Sequence, residues 1–551
     1  MAGWAVVPPE GSPAQTLAAA CGVHPLTAQL LLNRGVRTPA QARRFLSPSL
    51  EQLGDPLALP DMAKGVARLR RAIRGREPIM LFGDADVDGL SATAILYEAL
   101  QTLGAQVRVK LSNRIEDGYG LSAALAARLS RSATRLVVLI DCGTNQAEEV
   151  ERLGRAGIDT IIVDHHLPLE SPARPLARIN PHGIQQEGRE LCSAGLAFQV
   201  ARALLDGVAP QRARAALDLA ALATLADYVP LIGDSRILVA EGIGRITSSL
   251  RPGLVKLCED TQTRQPAPEH ILRRLVPRLN ALGRLGDPTT AWRLLLAEDH
   301  AQLPDWLAEA EQAHTTTKAL QRRLIGEAEA QVNRLHFRDH MVLVVSRTGW
   351  PQGLMGPLAS QLSARYGRPA IALALNERRG IGSGRSLPLV NLLDILRACE
   401  TLLVEFGGHA YACGLTIDVK NVEPFRQLVN QHAERSVGRE GLVRARTIDL
   451  ELPLEEFEPG WIEEAQRLAP FGRGNPKPTV LVRGVTITRR SPRTAWLHTG
   501  RTQLAAKGDF VGLEPDGRYD VIASPGVADG EITLLVSDVK ASLALSELVP
   551  T

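Results

Sequence analysis

The chain has 551 residues, 45% of them hydrophobic and 22% charged, with a net charge of +3, which excludes a disordered chain and leaves apolar material for three or four cores of roughly 100 to 200 residues each. No apolar run approaches the roughly 20 residues of a membrane-spanning helix, the N-terminus carries Pro8, Pro9 and Glu10 where a secretory leader is basic and apolar, and the six cysteines lie too far apart for a disulfide framework. A cytoplasmic protein without a membrane segment is expected, and its small net charge neither demands nor excludes a nucleic-acid partner.

Residues 1–50 are predicted to form short helices at Pro25–Arg34 and Pro39–Leu46, leading into a helix around Ala63–Arg74. Apolar runs at Ile79–Phe82, Val107–Leu111, Leu136–Ile140 and Thr160–Val163 then alternate with helical stretches at Ser91–Leu103 and Gln146–Arg155. Short apolar strands alternating with helices indicate a parallel sheet covered on both faces. Residues 193–250 are helical in pattern, and Leu303–Leu335 is a polar-rich helix long enough to bridge two domains. A second α/β unit follows, with strands at Met341–Val345 and Ala370–Leu373 and helices at Gly353–Tyr366 and Leu389–Leu402. Beyond about residue 440 the period turns to two, as at Thr479–Val482, Tyr519–Ala523 and Glu531–Val536, which predicts a small all-β module.

In parallel sheets, ligands gather beyond the carboxyl ends of the strands. Asp84, Asp141 and Asp164 each directly follow an apolar run. Asp84, Asp86 and Asp88, in Gly83-Asp84-Ala85-Asp86-Val87-Asp88-Gly89, are expected to project from one side of an extended turn. Such a turn suits a hard divalent ion, although in isolation an acidic surface turn fits as well. A calcium-binding helix-loop-helix is excluded, because Ile95 stands where that loop needs its Glu. Asp141, in Asp141-Cys142-Gly143-Thr144, would by itself be read as a helix cap. Asp164-His165-His166 offers imidazole ligands beside a carboxylate able to bind or orient them. Asp227 stands on an otherwise apolar segment, where burial would demand a partner, either a metal or an arginine.

In this order the four motifs resemble those of the DHH phosphoesterases, and the likeness extends to the branch of that family that degrades single-stranded DNA. It covers nearly the whole chain, through Asn113-Arg114, Gly118-Tyr119-Gly120-Leu121, Asn280-Ala281-Leu282-Gly283-Arg284, Gly382-Ser383-Gly384-Arg385-Ser386, Phe406-Gly407-Gly408-His409 and Pro470-Phe471-Gly472-Arg473-Gly474-Asn475-Pro476. The resemblance implies an α/β fold in which a parallel-sheet DHH domain (51–300) follows an N-terminal helical segment (1–50). A bridging helix (301–335) would lead to a second α/β domain of DHHA1 type (336–440), and an OB-like β domain (441–551) would close the chain.

It further implies two Mn²⁺ or Mg²⁺ ions held by Asp86, Asp88, Asp141, His165 and Asp227, with Asp141 bridging, and Asp84 and His166 assisting catalysis. Asn113, Arg114, Tyr119, Asn280, Arg284, Ser383, Arg385 and His409 would contact the strand. The implied activity is hydrolysis of single-stranded DNA from its 5′ end in recombination and repair, by a monomer working beside a helicase and a single-strand-binding protein. An enzyme acting on small nucleotides and a scaffold without catalysis are the alternatives. The extra β module and N-terminal helices argue against the first, and the intact ligand set against the second. One departure stands out: Gly349-Trp350-Pro351-Gln352-Gly353 lacks the His that the family carries after Trp. Aromatic residues in the OB-like region are also few for a stacking platform, so arginines are expected to contribute there.

Overall fold

Five short runs of Val, Ile and Leu build the sheet that organises the larger part of the molecule. In the computed structural model, residues 3–114, 118, 120–169, 171–182, 190–296, 298, 301–335, 340–387, 390–438, 446–514, 517–528 and 530–542 are described. Residues 53–442 form one compact unit, and residues 1–52 together with 443–551 form another.

In the first unit, strands β1 (Ile79–Gly83), β2 (Val107–Leu111), β3 (Leu136–Ile140), β4 (Asp159–Val163) and β5 (Ala177–Ile179) pair in the order β2-β1-β3-β4-β5. All four pairings are parallel. Every residue of β3 is buried, as expected for a strand covered on both faces. Between β1 and β3 the connection order reverses, and the carboxyl ends of those strands flank the crevice where α/β sheets bind ligands. Helices α1 (Val87–Thr102), α2 (Ser193–Leu205) and α3 (Leu217–Ala226) supply the rest of the site. They are joined by α4 (Val276–Leu285), and α5 (Leu303–Arg334) runs on for 32 residues, about 48 Å at 1.5 Å per residue. One stripe of α5, including Trp306, Ala310, Leu324, Ala328 and Val332, is buried.

Beyond α5 come β6 (Leu343–Thr348), α6 (Met355–Tyr366), β7 (Ala370–Leu375), β8 (Arg379–Arg385), β9 (Leu403–His409) and β10 (Ala412–Asp418), in the sheet order β9-β10-β8-β7-β6. Only β6 and β7 are parallel. The last three of these strands were not among those expected, and they carry glycines at 380, 382, 384, 407 and 408. At 380, 382, 384 and 408 glycine is a packing requirement: a Cβ at Gly382, for one, would come within 2.2 Å of the Ala372 carbonyl oxygen. The helix expected over 389–402 is confined to Leu392–Arg397, where the Asn391 side chain caps it by accepting the Asp394 amide at 3.3 Å.

The second unit is a closed barrel. Strands β11 (Val480–Ser491), β12 (Thr494–Thr499), β13 (Thr502–Lys507), β14 (Arg518–Ala528) and β15 (Glu531–Ala541) pair as β11-β12-β13-β15-β14, and β14 returns to β11. Closure removes the exposed edges of an open sheet. Helices Gly11–Cys21, Pro25–Asn33 and Pro39–Leu46 contribute Leu17, Leu30, Leu31 and Leu46 to the same core as Trp461, Leu497 and Val521. Trp4–Val6 pairs in parallel with Arg446–Ile448. Trp461, Phe510 and Tyr519 are buried in this core, while Trp496 remains half-buried beneath the Arg490 guanidinium, 5.9 Å from the ring centre. Among the described residues, no helix is long and apolar enough to cross a membrane.

Candidate metal centre

Adjacent strand ends bring the acidic motifs together. Asp84 follows β1 and donates its amide to the Ile140 carbonyl; Asp141 follows β3 and donates to Val163; Asp164 follows β4 and donates to Ile179. Each motif therefore extends the sheet's own ladder by one residue. Asp141 is then turned into the left-handed region, at φ 60°, a conformation that Asp tolerates better than most residues.

The three acids of the first motif do not share one side of an extended turn, as the sequence suggested. Helix α1 starts within the motif. Asp86 is its N-cap, with a side chain that accepts the Asp88 and Gly89 amides, and Asp88 lies inside the first turn. Gly89 admits no side chain, since a Cβ there would stand 2.6 Å from the Asp84 carbonyl oxygen. Asp84 and Asp88 consequently face different partners. Asp84 accepts a hydrogen bond from Ser112 Oγ at 2.7 Å and pairs with Arg114, which also reaches Asp86 at 2.9 Å. Asp88 accepts the backbone amides of Ser193 and Ala194, both at 2.8 Å, at the start of α2.

His165 Nε2 stands among three carboxylates from three motifs: 3.8 Å from Asp88, 3.5 Å from Asp141 and 3.6 Å from Asp227. Asp227 is the C-cap of α3. Its side chain is 31% exposed, so the apolar segment delivers it to the crevice rather than burying it. Three overlapping groups have ligand atoms within 4.8 Å of one another: Asp84, Asp86 and Asp141; Asp141, His165 and His166; and Asp88, His165 and Asp227. Asp141 belongs to two of them. His166 is turned by Asp164, whose carboxylate meets its Nδ1 at 2.7 Å, and Asn180 donates to the His166 carbonyl at 2.9 Å.

The electrostatics call for a cation. Burial, reinforced by Asp88, Asp86 and Asp84, pushes the Asp141 carboxyl well above the usual range. Burial also pushes Asp88 up to about 6, against the opposing amide of Ala194. Asp86 is held low: burial acts against it, but the Arg114 guanidinium and the Gly89 amide prevail. Burial disfavours charge on His166 too, yet Asp164 outweighs it and raises the imidazole to about 9. Asp164 in turn is held well below the ordinary carboxylate value, its burial outweighed by the two histidines. Clustered carboxylate oxygens with imidazole nitrogen fit hard or borderline divalent ions.

A second charged group stands beside the first. Arg284, at the end of α4, is brought down to about 10 by burial and by Arg114, and Arg385, at the end of β8, is lowered by burial and Arg114 as well. Arg284 and Arg385 thus lie close enough to Arg114, itself paired with Asp84 and Asp86, for like charge to disfavour theirs.

The DHH family, N-terminal domain, matches residues 78–224, the DHHA1 domain residues 339–435, and the RecJ OB domain residues 448–495. Over 490 residues the chain is 33% identical to the single-stranded-DNA-specific exonuclease RecJ of Dickeya dadantii, covering 82% of each chain. The chain belongs to the RecJ family. It is also 33% identical over 492 residues to the RecJ of Bacillus subtilis, where the match covers 88% of this chain but 62% of that longer protein. The crystal structure of Thermus thermophilus RecJ in complex with Mn²⁺ superposes with a TM-score of 0.85 at 27% identity, over 98% of this chain and 80% of the other. The Mg²⁺ complex of the same RecJ gives 0.77 at 26% identity, over 98% and 79%.

Within this RecJ-family chain, Asp84, Asp86, Asp88, Asp141, His165, His166 and Asp227 converge at one centre, with Arg114, Arg284 and Arg385 beside it. Asn280 turns its side-chain oxygen to the Val87 amide at 3.0 Å and so braces the first motif. Ser383 lies near Arg385, both facing Gly356 of α6. Asn113 follows Ser112, half-buried. Tyr119 falls outside the described residues, and of His409 only the backbone is described, paired with Ala412 at the end of β9. The Gly-Gly-His segment is therefore strand. Trp350, without a following His, donates its indole N–H to Glu327 on α5 at 2.7 Å. The sequence reading missed Ser193, whose hydroxyl donates to Asp141 at 2.8 Å. A serine opening a helix in Leu191-Cys192-Ser193-Ala194 was the available signal.

Proposed function

We infer that this chain is a metal-dependent exonuclease that hydrolyses single-stranded DNA, beginning at a 5′ end. The reading is carried by the convergence of Asp88, Asp141 and Asp227 on His165 Nε2, beside a cluster of three arginines. In it, Asp86, Asp88, Asp141, His165 and Asp227 would hold two divalent cations of the Mn²⁺ or Mg²⁺ kind, with Asp141, common to two of the clustered groups, central among them. Bound there, such ions supply Lewis-acid charge to the phosphate and an activated water for in-line attack.

The chain's own residues do the rest. Ser193 and the amides of α2 orient Asp141 and Asp88, Asp164 orients His166, and Ser112 and Arg114 hold Asp84 against the centre. Arg284 and Arg385 bind the non-bridging oxygens of a phosphate, with Asn113, Tyr119, Ser383 and His409 contacting the strand around it. The OB-like unit extends the grip on single-stranded DNA. The same reading places the enzyme in the cytoplasm as a monomer in DNA recombination and repair, acting on strands exposed by a helicase and covered by single-strand-binding protein.

The test is digestion of 5′-labelled and 3′-labelled oligonucleotides, single-stranded and duplex, with Mn²⁺. Label released first from the 5′ end of the single strand is the expected result. Degradation from the 3′ end rejects the polarity, equal degradation of blunt duplex rejects the strand specificity, and equal turnover of a dinucleotide and a long strand transfers the activity to small substrates.

A further inference from the structure

Beyond the end of β4 the backbone that carries both imidazoles leaves the sheet. The Asp164 amide still donates to the Ile179 carbonyl of β5 at 3.2 Å, and a chain departing from a ladder must satisfy its next carbonyls elsewhere. Three in succession are taken by side chains that follow the two neighbouring strands. The His165 carbonyl accepts from His182 Nε2 at 2.9 Å, the His166 carbonyl from Asn180 Nδ2 at 2.9 Å, and the Leu167 carbonyl from Asn145 Nδ2 at 3.0 Å. A carbonyl only accepts, so the proton of the first contact sits on His182 Nε2.

Each donor is itself held in place. Asn180, buried directly after β5, uses both polar atoms of its side chain: Nδ2 also reaches Thr144 Oγ1 at 3.3 Å, and Oδ1 accepts the His182 amide at 2.8 Å. That last bond closes an Asx turn over Pro181, whose fixed φ helps direct the following imidazole back to His165. Asn145 grips its segment twice, since its Oδ1 accepts the Leu169 amide at 2.9 Å. The edge strand β5 brings no acid to the centre, yet the turn that follows it supplies two of the three donors. His165 Nε2 stands 3.5 to 3.8 Å from three carboxylates, and a reactive constellation must be held to within about 0.5 Å. A ring is carried by its own backbone, so a donor that pins the carbonyl of the same residue sets where that nitrogen lies.

We propose that Asn145, Asn180 and His182 are positioning residues for the hydrolytic reaction, and that His182 sets the His165 imidazole through the His165 carbonyl. This deepens the metal-centre reading and rests on it. The three side chains act on a ligand through its main chain, as outer-shell partners act on ligands through their side chains. His182 is exposed, so its truncation removes a hydrogen bond without opening a cavity, whereas Asn180, 2% exposed, would leave buried groups unsatisfied. The test is therefore made at His182.

The experiment compares His182→Ala, His182→Gln and His182→Asn with the parent, each as the full chain. Glutamine brings an amide N–H near the place of the histidine Nε2, and asparagine near that of Nδ1, so only glutamine restores the donor. Mn²⁺ binding, followed by the electron paramagnetic resonance of the free ion, is expected to weaken about tenfold in His182→Ala and His182→Asn, the lower end of the range for an outer-shell partner. The parent affinity returns in His182→Gln. The Tm of the metal-free proteins and the KM for a single strand at saturating Mn²⁺ stay at the parent values, where a merely structural role would lower the Tm. An unchanged Mn²⁺ affinity in His182→Ala, recovery by asparagine in place of glutamine, or an affinity loss accompanied by a lower metal-free Tm overturns the proposal. A parent that binds Mn²⁺ yet cuts no single strand rejects the exonuclease reading alone. If the parent binds no Mn²⁺, the metal reading falls, and the crystal structure of His182→Ala decides the clamp by itself: a His165 ring displaced from its place among Asp88, Asp141 and Asp227 upholds it, and an unmoved ring overturns it.

Discussion

Ser193 holds two buried acids of the centre at once: its amide donates to Asp88 at 2.8 Å and its hydroxyl to Asp141, also at 2.8 Å. The start of α2 thereby joins the first and second motifs, which lie more than fifty residues apart in the chain. The positive end of the helix dipole also lies against the Asp88 carboxylate. Ser193→Ala keeps the amide and deletes the hydroxyl. Loss of an outer-shell partner typically weakens metal sites 10- to 100-fold, so a Mn²⁺ titration of nuclease activity should show a half-maximal concentration raised by about tenfold with the circular dichroism unchanged. An unaltered titration would leave Ser193 as a helix start only.

Asp84, Asp86, Asp88 and Asp141 repel one another in a buried crevice, so a cation bound there stabilises the folded state. A metal at about 100 times its dissociation constant adds about 2.7 kcal/mol. The expected outcome is a Tm a few degrees higher for the unit containing residues 53–442 when Mn²⁺ is added, reversed by chelation. Asp141→Asn, which lowers the repulsion, should shrink the Mn²⁺-induced shift and abolish cleavage. Cleavage persisting in that variant would refute the metal mechanism.

Gly353 packs on the end of α4, and a Cβ there would come within 2.5 Å of the Arg284 carbonyl oxygen. On the same turn Gly283 lies against Ala85 of the first motif, where a Cβ would stand 2.5 Å from the Ala85 carbonyl oxygen. The turn carrying Arg284 is thus wedged between the metal centre and the second α/β domain. Gly353→Ala should move Arg284 by displacing backbone, which does not yield as a side-chain tip does. A rise in KM for the strand, with about 1–3 kcal/mol lost in chemical denaturation, is the expected result. Kinetics identical to the parent would show that the contact opens freely.

Arg251, 2% exposed, pairs with Asp218 on α3 at 3.1 Å and Glu98 on α1 at 2.5 Å, and donates to the Leu295 carbonyl at 2.7 Å. It clamps the helix that begins with Asp86 and Asp88 to the helix that ends at Asp227. Arg251→Met leaves Asp218 buried without its cation, and breaking such a pair costs about 3–5 kcal/mol. Denaturant unfolding should show a loss of that size, partly recovered by the double variant Arg251→Met/Asp218→Asn.

The strands of the first sheet and the acids that follow them are legible in the chain because a strand buried on both faces must be continuously apolar. Its end is therefore marked by the first carboxylate, as at Ile140 and Asp141. Asp-His-His and the three neighbouring aspartates announce a cation for the same chemical reason. The glycine strands of the second domain are not legible this way, since at Gly380, Gly382 and Gly384 the missing side chain answers a carbonyl or another side chain that lies close only after folding. Ser193 likewise has no local mark beyond opening a helix. Nor does any local pattern assign the first fifty residues to the barrel core, because long-range packing of Leu30 and Leu31 against Trp461 puts them there. Local pattern thus specifies which residues carry charge to the strand ends, and tertiary packing specifies which of those charges meet. Distances of a few ångströms between motifs depend on how helices and sheet close on one another, which no segment encodes alone.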